Sequence, residues 1–206
     1  MKKLLLLAVV AIAALAIGTS VVFAHDGSDD SSGQSGDHAS CVNSAGGDDD
    51  SGDDSSKVRA AHDNSSGDDS VEGSQGDDNE HGNRGNDEID GNSGDDHLSG
   101  DEGDDDLCGD RGDDDLNGGP GNDQMNGGPG DDVENGQAGS DDVNGDNGDD
   151  TLTGGPGTDQ ISGGSGNDRI RVRDGRRDHV SCGRGNDRVK ADRKDVVSKN
   201  CEHVSR

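Results

Sequence analysis

The sequence lacks the residues from which a globular core is ordinarily built. Its 206 residues include no Trp, no Tyr and a single Phe, and hydrophobic residues make up only 23% of the chain. Low hydrophobicity combined with high net charge is typical of disordered chains. The absence of aromatic side chains that could stack on a sugar ring also argues against a carbohydrate-cleaving enzyme, in spite of the many carboxylates.

Basic residues are scarce over most of the chain. Residues 25–168 contain 41 acidic and four basic residues, whereas residues 169–206 contain six acidic and twelve basic ones, so that with Lys2 and Lys3 the formal net charge is −29. A body this acidic repels nucleic acids and anionic membrane surfaces. We therefore expect no nucleic-acid partner, and we expect the basic tail to contact the acidic body or the cell wall.

The N-terminus has the pattern of a secretory leader. Two lysines precede an apolar run from Leu4 to Ile17, and Val22 and Ala24 form a small-residue cleavage site. The alternative is an uncleaved membrane anchor, but the run is short for a span of about 20 residues. We predict a signal peptide over residues 1–24, a secreted, extracellular protein without membrane insertion, and a flexible acidic Ser/Asp/Gly-rich linker over residues 25–63.

A nine-residue frame then runs through twelve consecutive units, residues 64–171, without an insertion. Every unit has Gly at position four and Asp at position six, and the full pattern is G-G-x-G-x-D-x-U-x, where U is an aliphatic residue. Clear copies begin at Gly118, Gly154 and Gly163. Residues 172–181 form one unit with an inserted residue, and a further unit follows at 182–190. We expect residues 172–206 to form a basic C-terminal repeat and cap.

This pattern resembles the RTX, or haemolysin-type, calcium-binding repeat family. The resemblance implies an all-β fold, a right-handed parallel β-roll in which two nonapeptides make one coil and each calcium ion lies between the turns of units i and i+2. Members of the family often carry the repeats behind an enzyme or toxin domain. This chain departs from that arrangement, because a leader precedes the repeats and no such domain is evident.

The repeat positions have separate predicted roles. Gly at positions one and four is expected to supply positive φ. Position two is Gly, Asn or Asp in most units, as the left-handed region requires, whereas Ser65, Ser74 and Gln137 depart from this and predict looser turns.

The Asp at position six is the predicted calcium ligand. Turn carbonyls and one carboxylate supply about half of the six to eight oxygens that calcium prefers, so two stacked turns complete a site. Twelve units allow up to about ten such pairs. The predicted ligands are Asp69, Asp78, Asp87, Asp96, Asp105, Asp114, Asp123, Asp132, Asp141, Asp150, Asp159, Asp168 and Asp187.

Position eight supplies the predicted core. Glu80 and Glu134 interrupt its aliphatics; we expect Val133 to compensate partly for Glu134, and Glu80 to mark a frayed first coil. So thin a core cannot offset the entropy of ordering the chain, at about 1–2 kcal/mol per residue. Calcium has to supply the difference. The aliphatics are Val71, Ile89, Leu98, Leu107, Leu116, Met125, Val143, Leu152, Ile161, Ile170 and Val189.

Export permits disulfides. We predict a Cys182–Cys201 bridge because these residues flank the cap, although two other connectivities remain open. Cys41 and Cys108 are left as either a bridge or free thiols. No cysteine has a positioned base and the seven histidines are scattered, so we expect no catalytic residues and no enzyme.

Together these features predict a secreted protein that folds on binding calcium and acts as an extracellular structural or interaction module. Its expected partners are calcium ions and components of the cell envelope or matrix, while the oligomeric state stays open. The alternative is a calcium-binding accessory fragment of a secreted enzyme or toxin that lacks its catalytic domain.

Overall fold

The computed structural model describes residues 67–206, so the predictions for the signal peptide, the linker, Cys41 and Ser65 lie outside the described residues. All sixteen helical or strand elements of the described part are β-strands. They are β1 (Ser70–Glu72), β2 (Asn79–His81), β3 (Glu88–Asp90), β4 (His97–Ser99), β5 (Asp106–Cys108), β6 (Asp115–Pro120), β7 (Gln124–Pro129), β8 (Val133–Ala138), β9 (Asp142–Asn147), β10 (Thr151–Thr153), β11 (Gln160–Ser162), β12 (Arg169–Arg171), β13 (His179–Ser181), β14 (Arg188–Lys190), β15 (Val196–Val197) and β16 (His203–Ser205).

Successive strands alternate between two eight-stranded parallel sheets. The odd-numbered strands form one sheet in the order β1 to β15, and the even-numbered strands form the other from β2 to β16. Two strands and their two turns therefore make one coil of a solenoid of eight coils. The predicted all-β fold, a parallel β-roll of nonapeptide repeats, is confirmed.

The register between coils follows the repeat. Val71 pairs with Ile89 and Leu98 pairs with Leu116, each 18 residues apart, so position eight always lies over position eight. The inserted residue in 172–181 lengthens this spacing once in each sheet, as in the pair Gln160 and His179. The strands stay aligned because the extra residue is absorbed in a turn.

Position eight forms the core, as predicted. All eleven aliphatics predicted from the repeat have relative exposures of 4% or less. Val172, Val180, Cys182 and Ala191, which were not included in that set, are also buried in the same cluster. In each short strand position eight faces inward and position seven faces outward, as in Glu88–Asp90.

Two expectations about the core are wrong. Val133 is 46% exposed and does not compensate for Glu134, which is itself 1% exposed. The register explains this result, because Glu134 pairs with Leu116 on one side and Leu152 on the other and must share their inward direction. Glu80 does not mark a frayed coil, since it is 1% exposed and β2 pairs with β4 over all three residues.

The C-terminal coils are closed covalently. Cys182 and Cys201 form the predicted disulfide, with their Cα atoms 5.2 Å apart and a sequence separation of 19. Cys108 is disulfide-bonded as well, so the free thiol left open for it is not present. The last strands, β15 and β16, pair with β13 and β14 and form the outermost coil at this end.

Candidate metal centres

The turns adopt the backbone conformation that position two predicts. Asn83, Asn92, Asp101, Asp110 and Asp146 all have φ between 63° and 74°. Gln137, for which a looser turn was expected, has the same conformation with φ of 67°, so that expectation is wrong. Its side-chain amide donates to Oδ1 of Asn117 at 2.5 Å, and the turn itself pairs with the preceding coil.

Glycine at position one has a different purpose from the one predicted. None of the position-one glycines between Gly73 and Gly163 has a positive φ. They allow neighbouring oxygens to approach the backbone closely. A Cβ placed on Gly136 would overlap Oδ2 of Asp141 in the same unit and would lie 2.7 Å from the carbonyl oxygen of Gly154 in the next coil. The prediction holds for most position-four glycines, such as Gly85 with φ of 134°.

The position-six aspartates form two ladders along the roll. In each, the Oδ1 atom of one aspartate accepts a hydrogen bond from the backbone amide of the aspartate one coil earlier. The amide of Asp78, for example, donates to Asp96 at 2.8 Å, and the amide of Asp96 donates to Asp114 at the same distance. One ladder runs from Asp69 to Asp195 and the other from Asp78 to Glu202.

The second carboxylate oxygen of these aspartates has no partner. Oδ2 is buried and accepts no hydrogen bond at twelve positions: Asp87, Asp96, Asp105, Asp114, Asp123, Asp132, Asp141, Asp150, Asp159, Asp168, Asp178 and Asp187. A buried polar atom without a partner costs free energy, and a charged one costs more. A row of such atoms therefore calls for a ligand that supplies positive charge.

In the units that begin with glycine, each of these oxygens lies against the position-one glycine, closer than a Cβ there would allow. A Cβ on Gly82 would overlap Oδ2 of Asp87 and would lie 2.7 Å from the carbonyl oxygen of Gly100, which comes from the next coil. The equivalent pair of oxygens is found at Gly136 and at Gly145. The oxygens of two successive coils thus converge, which is the relation between units i and i+2 that the family resemblance implies.

Burial raises the pKa of these carboxylates, because it disfavours the charged form. The backbone hydrogen bond to Oδ1 opposes this shift and neighbouring aspartates add to it. The pKa reaches about 7 at Asp96, Asp123, Asp150 and Asp159, and about 6 at Asp105, Asp114, Asp132, Asp168 and Asp178. The fold by itself therefore resists the ionised form that these residues ordinarily have at neutral pH.

The thirteen predicted ligands fall into three groups. Ten lie in units that begin with glycine and have the orphaned oxygen, namely Asp87 to Asp168 at intervals of nine residues. At Asp78 the amide and the hydroxyl of Ser74 donate to Oδ2 at 2.6 and 2.9 Å, so this oxygen is satisfied. Asp69 is half-buried in the first described coil, and Asp187 belongs to a unit that begins with Cys182.

Several ladder residues were missed from the sequence. Asp178 accepts from the amide of Asp159 at 3.1 Å and has an orphaned Oδ2. Asp195 and Glu202 accept the last amide of each ladder. The inserted residue concealed Asp178, although the order Asp178, His179, Val180 keeps the D-x-U part of the motif and could have identified it.

Position five forms a second set of ladders that run in the opposite sense. The amide of Asn86 donates to Oδ1 of Asp68 at 2.9 Å, and the amide of Asp104 donates to Oδ1 of Asn86 at 3.0 Å. The same contact recurs along the roll. The position-five ladders could have been predicted from the sequence, because position five is Asp, Asn, Ser or Thr in every unit that keeps the frame.

The donor set suits a hard cation. Within residues 67–206, no group of three or more His, Cys, Asp or Glu side chains is arranged to hold a metal ion. The oxygens that do converge are a carboxylate from one coil and a main-chain carbonyl from the next. Calcium takes such ligands in flexible geometry, whereas zinc prefers nitrogen and sulfur. The residues present therefore fit calcium, which would be held by the position-six aspartates and turn carbonyls and would compensate the buried charge.

The fold and its orphaned oxygens define a calcium-binding parallel β-solenoid. The sequence profile of the RTX calcium-binding nonapeptide repeat matches four segments, residues 64–79, 81–116, 109–134 and 135–170. These segments cover half of the chain, and the chain belongs to this family. Calcium binding by the repeat region follows from that membership.

The other comparisons found no relative: no curated protein and no solved structure matches the chain. Residues 67–206 also contain no apolar helix of membrane-spanning length.

Proposed function

We propose that this protein is a secreted calcium-binding protein whose roll folds when calcium binds, and that the folded roll acts outside the cell as a structural or interaction module. The observation that carries the proposal is the row of ten buried, unpartnered Oδ2 atoms, each of which approaches the position-one glycine of its unit more closely than a Cβ on that residue would allow. No catalytic role is assigned to the chain.

Binding and folding are coupled in this proposal because the sites exist only between stacked coils. Each site takes its oxygens from two coils, and an unfolded chain does not bring those oxygens together. Without a cation, the folded state has to bury ten carboxylates with one unpartnered oxygen each. The free energy of calcium binding is then largely free energy of folding.

The array of equivalent sites ends, in our proposal, with the unit that begins at Gly163. The next units begin with Val172, Cys182 and Ala191, and all three residues are buried. Each has a Cβ at the position where glycine in the earlier units lets the oxygens approach. We therefore propose that Asp178 and Asp187 serve mainly as ladder residues, which leaves about ten calcium sites.

An extracellular location is supported by the disulfide chemistry and by the leader sequence. Disulfides persist in oxidising compartments, and both Cys108 and the Cys182–Cys201 pair are oxidised. Extracellular calcium modules work at about 10⁻⁴–10⁻³ M. The proposed partners are components of the cell envelope or matrix, which would contact the exposed outer faces of the two sheets. Pull-down from cell envelope, in calcium and in chelator, tests this part.

The folding proposal is tested by far-UV circular dichroism of the purified protein during a calcium titration, with magnesium as the control and a chelator to reverse the change. We expect a transition from coil to β-structure that calcium produces and magnesium does not. A spectrum unchanged up to about 10 mM calcium, above the range of extracellular modules, would contradict the proposal, as would a roll that is fully formed in chelator.

A further inference from the structure

Glu134 occupies a position that belongs to the apolar core in the other described coils except one. It lies at position eight of its unit, between Leu116 and Leu152 in the register of the even-numbered sheet. Its side chain is 1% exposed, and neither carboxylate oxygen has a hydrogen-bond partner in good geometry, the backbone amide of Gly127 being the nearest donor that acts on the carboxyl. A charged group of this kind is costly to bury unless something compensates it.

The carboxylate of Glu134 is directed toward the cation site of its own unit. A Cβ placed on Gly127 would overlap Oδ2 of Asp132 and would lie 2.8 Å from Oε1 of Glu134. Two unpartnered carboxylate oxygens thus lie close to the same point beside Gly127. At the other position-one glycines, the three nearest atoms include no second side-chain carboxylate.

No protein cation is available to Glu134. The ion pairs found in residues 67–206 involve His81, Arg84 and His97, which lie on other strands and turns. The charged groups that raise the pKa of Glu134 most are Asp132 and, one coil further on, Asp150, and both are acidic. Burial raises the pKa of Glu134 and favours the protonated form, so this carboxyl is ionised in the fold only where a bound ion compensates its charge.

We infer that Glu134 is a second carboxylate ligand in the cation site of Asp132, which makes this site the tightest in the array. The inference rests on the proposed calcium binding and adds to it. Affinity for calcium rises with the number of charged ligands, and the other sites combine one carboxylate, that of the position-six aspartate, with a main-chain carbonyl of the next coil. The ion beside Glu134 is then the last to leave when calcium is withdrawn.

Glu80 provides a matched control. It also replaces an aliphatic at position eight and is 1% exposed. Its neighbour in the same unit is Asp78, but Oδ2 of Asp78 already accepts hydrogen bonds from the amide and hydroxyl of Ser74. Substituting Glu80 thus changes the same kind of core position without removing a second carboxylate from an open site.

The test measures calcium retained by the purified protein as free calcium is lowered with a chelator buffer, for wild type, Glu134→Gln, Glu134→Leu and Glu80→Leu. Circular dichroism of each sample reports whether the roll is still folded. We expect the last ion to leave both Glu134 variants at a free calcium concentration about tenfold higher than in wild type or more, a loss equivalent to one strong ligand. Glu80→Leu should retain that ion as wild type does.

Glu134→Gln separates ligation from packing, because it keeps the volume of the side chain and removes its charge. If Glu134 were only a core residue, Glu134→Gln would keep the last ion and overturn the inference. Asp132→Asn and the double variant with Glu134→Gln add a second check, since two ligands of one ion give losses that do not add. Additive losses would contradict a shared site. Failure of wild type to bind any calcium would instead contradict the proposed function.

Discussion

Residues 73–171, the glycine-fronted coils, and residues 172–206, the C-terminal coils, share a register but are stabilised in different ways. From Gly82 onward, the glycine-fronted coils bury an unpartnered carboxylate oxygen against the position-one glycine. The C-terminal coils have Val172, Cys182 and Ala191 at the same position, and they add a disulfide. We propose that one backbone path supports either an ion site or apolar packing, and that a Cβ at position one decides which.

The charge on the outer surface follows the same division. Strands β12 and β14 place Arg169 next to Arg188 and Arg171 next to Lys190 on the outside of one sheet. The acidic residues dominate the coils before them. The C-terminal coils therefore have less negative charge to compensate, which agrees with a region that does not require calcium to the same extent.

Of the changes considered, removal of calcium should produce the largest difference in stability between the two regions. In excess chelator we expect the amides of β3 to β11 to lose protection from hydrogen exchange, while those of β13 to β16 keep the most, because packing and the disulfide still hold them. Hydrogen exchange read by mass spectrometry in calcium and in chelator checks this. Uniform loss over both regions would contradict the division.

Loss of the Cys182–Cys201 bridge should weaken the C-terminal coils in particular. The bridge spans 19 residues, and closing a loop of about that size stabilises a protein by about 3 kcal/mol. We expect the double variant Cys182→Ala, Cys201→Ala to lower the free energy of unfolding in saturating calcium by about this amount, measured by denaturant titration. An unchanged number of bound ions would accompany this loss if these coils hold none.

Exchanging the position-one residue tests the comparison directly. Gly136→Ala places a methyl group against Asp141 and the Gly154 carbonyl, so we expect the loss of one bound ion and about 1–3 kcal/mol of stability. Ala191→Gly, the reverse change in a C-terminal coil, should keep the ion count and cost about 1 kcal/mol through backbone entropy and a lost methyl contact. Calcium stoichiometry and denaturant unfolding provide both readouts. If the two variants bound the same number of calcium ions, this would contradict the proposal that the residue at position one determines whether a calcium site forms.

Acidification should have a smaller effect, confined to the calcium-free state. Burial raises the pKa of the Asp123 and Asp150 carboxyls to about 7 in the fold, whereas an unfolded Asp titrates near 3.9. The folded chain therefore binds more protons between these values, and its stability increases as pH falls through that window. We expect circular dichroism in chelator to show more β-structure near pH 5 than at pH 7.5, and calcium to bind more weakly at the lower pH. A decrease in β-structure on acidification would contradict the prediction.

The repeat frame was enough to predict the sheets, the register and most of the core, because a strict period determines which positions face inward. It was less informative where a residue has two possible explanations. Glycine at position one was expected to provide positive φ, yet it allows close approach of oxygens, and only the neighbouring coil reveals that. Val133 was expected to compensate partly for the adjacent Glu134, whereas the strand pairing of Glu134 with leucines turns Val133 outward. Asp178 escaped notice because an insertion moved it out of phase.

The opposed ladders at positions five and six have a consequence for how the molecule can change in length. Each coil makes two kinds of hydrogen bond to the coil that follows it. The backbone amide of Asp96 donates to the carboxylate of Asp114, and the carboxylate of Asp95 accepts from the backbone amide of Asp113. The next coil supplies both groups and displays the same two in turn, much as a crystal face reproduces itself during growth. Adding or removing 18 residues leaves every neighbour with the partner it requires, whereas a change of nine would move each following strand to the opposite sheet.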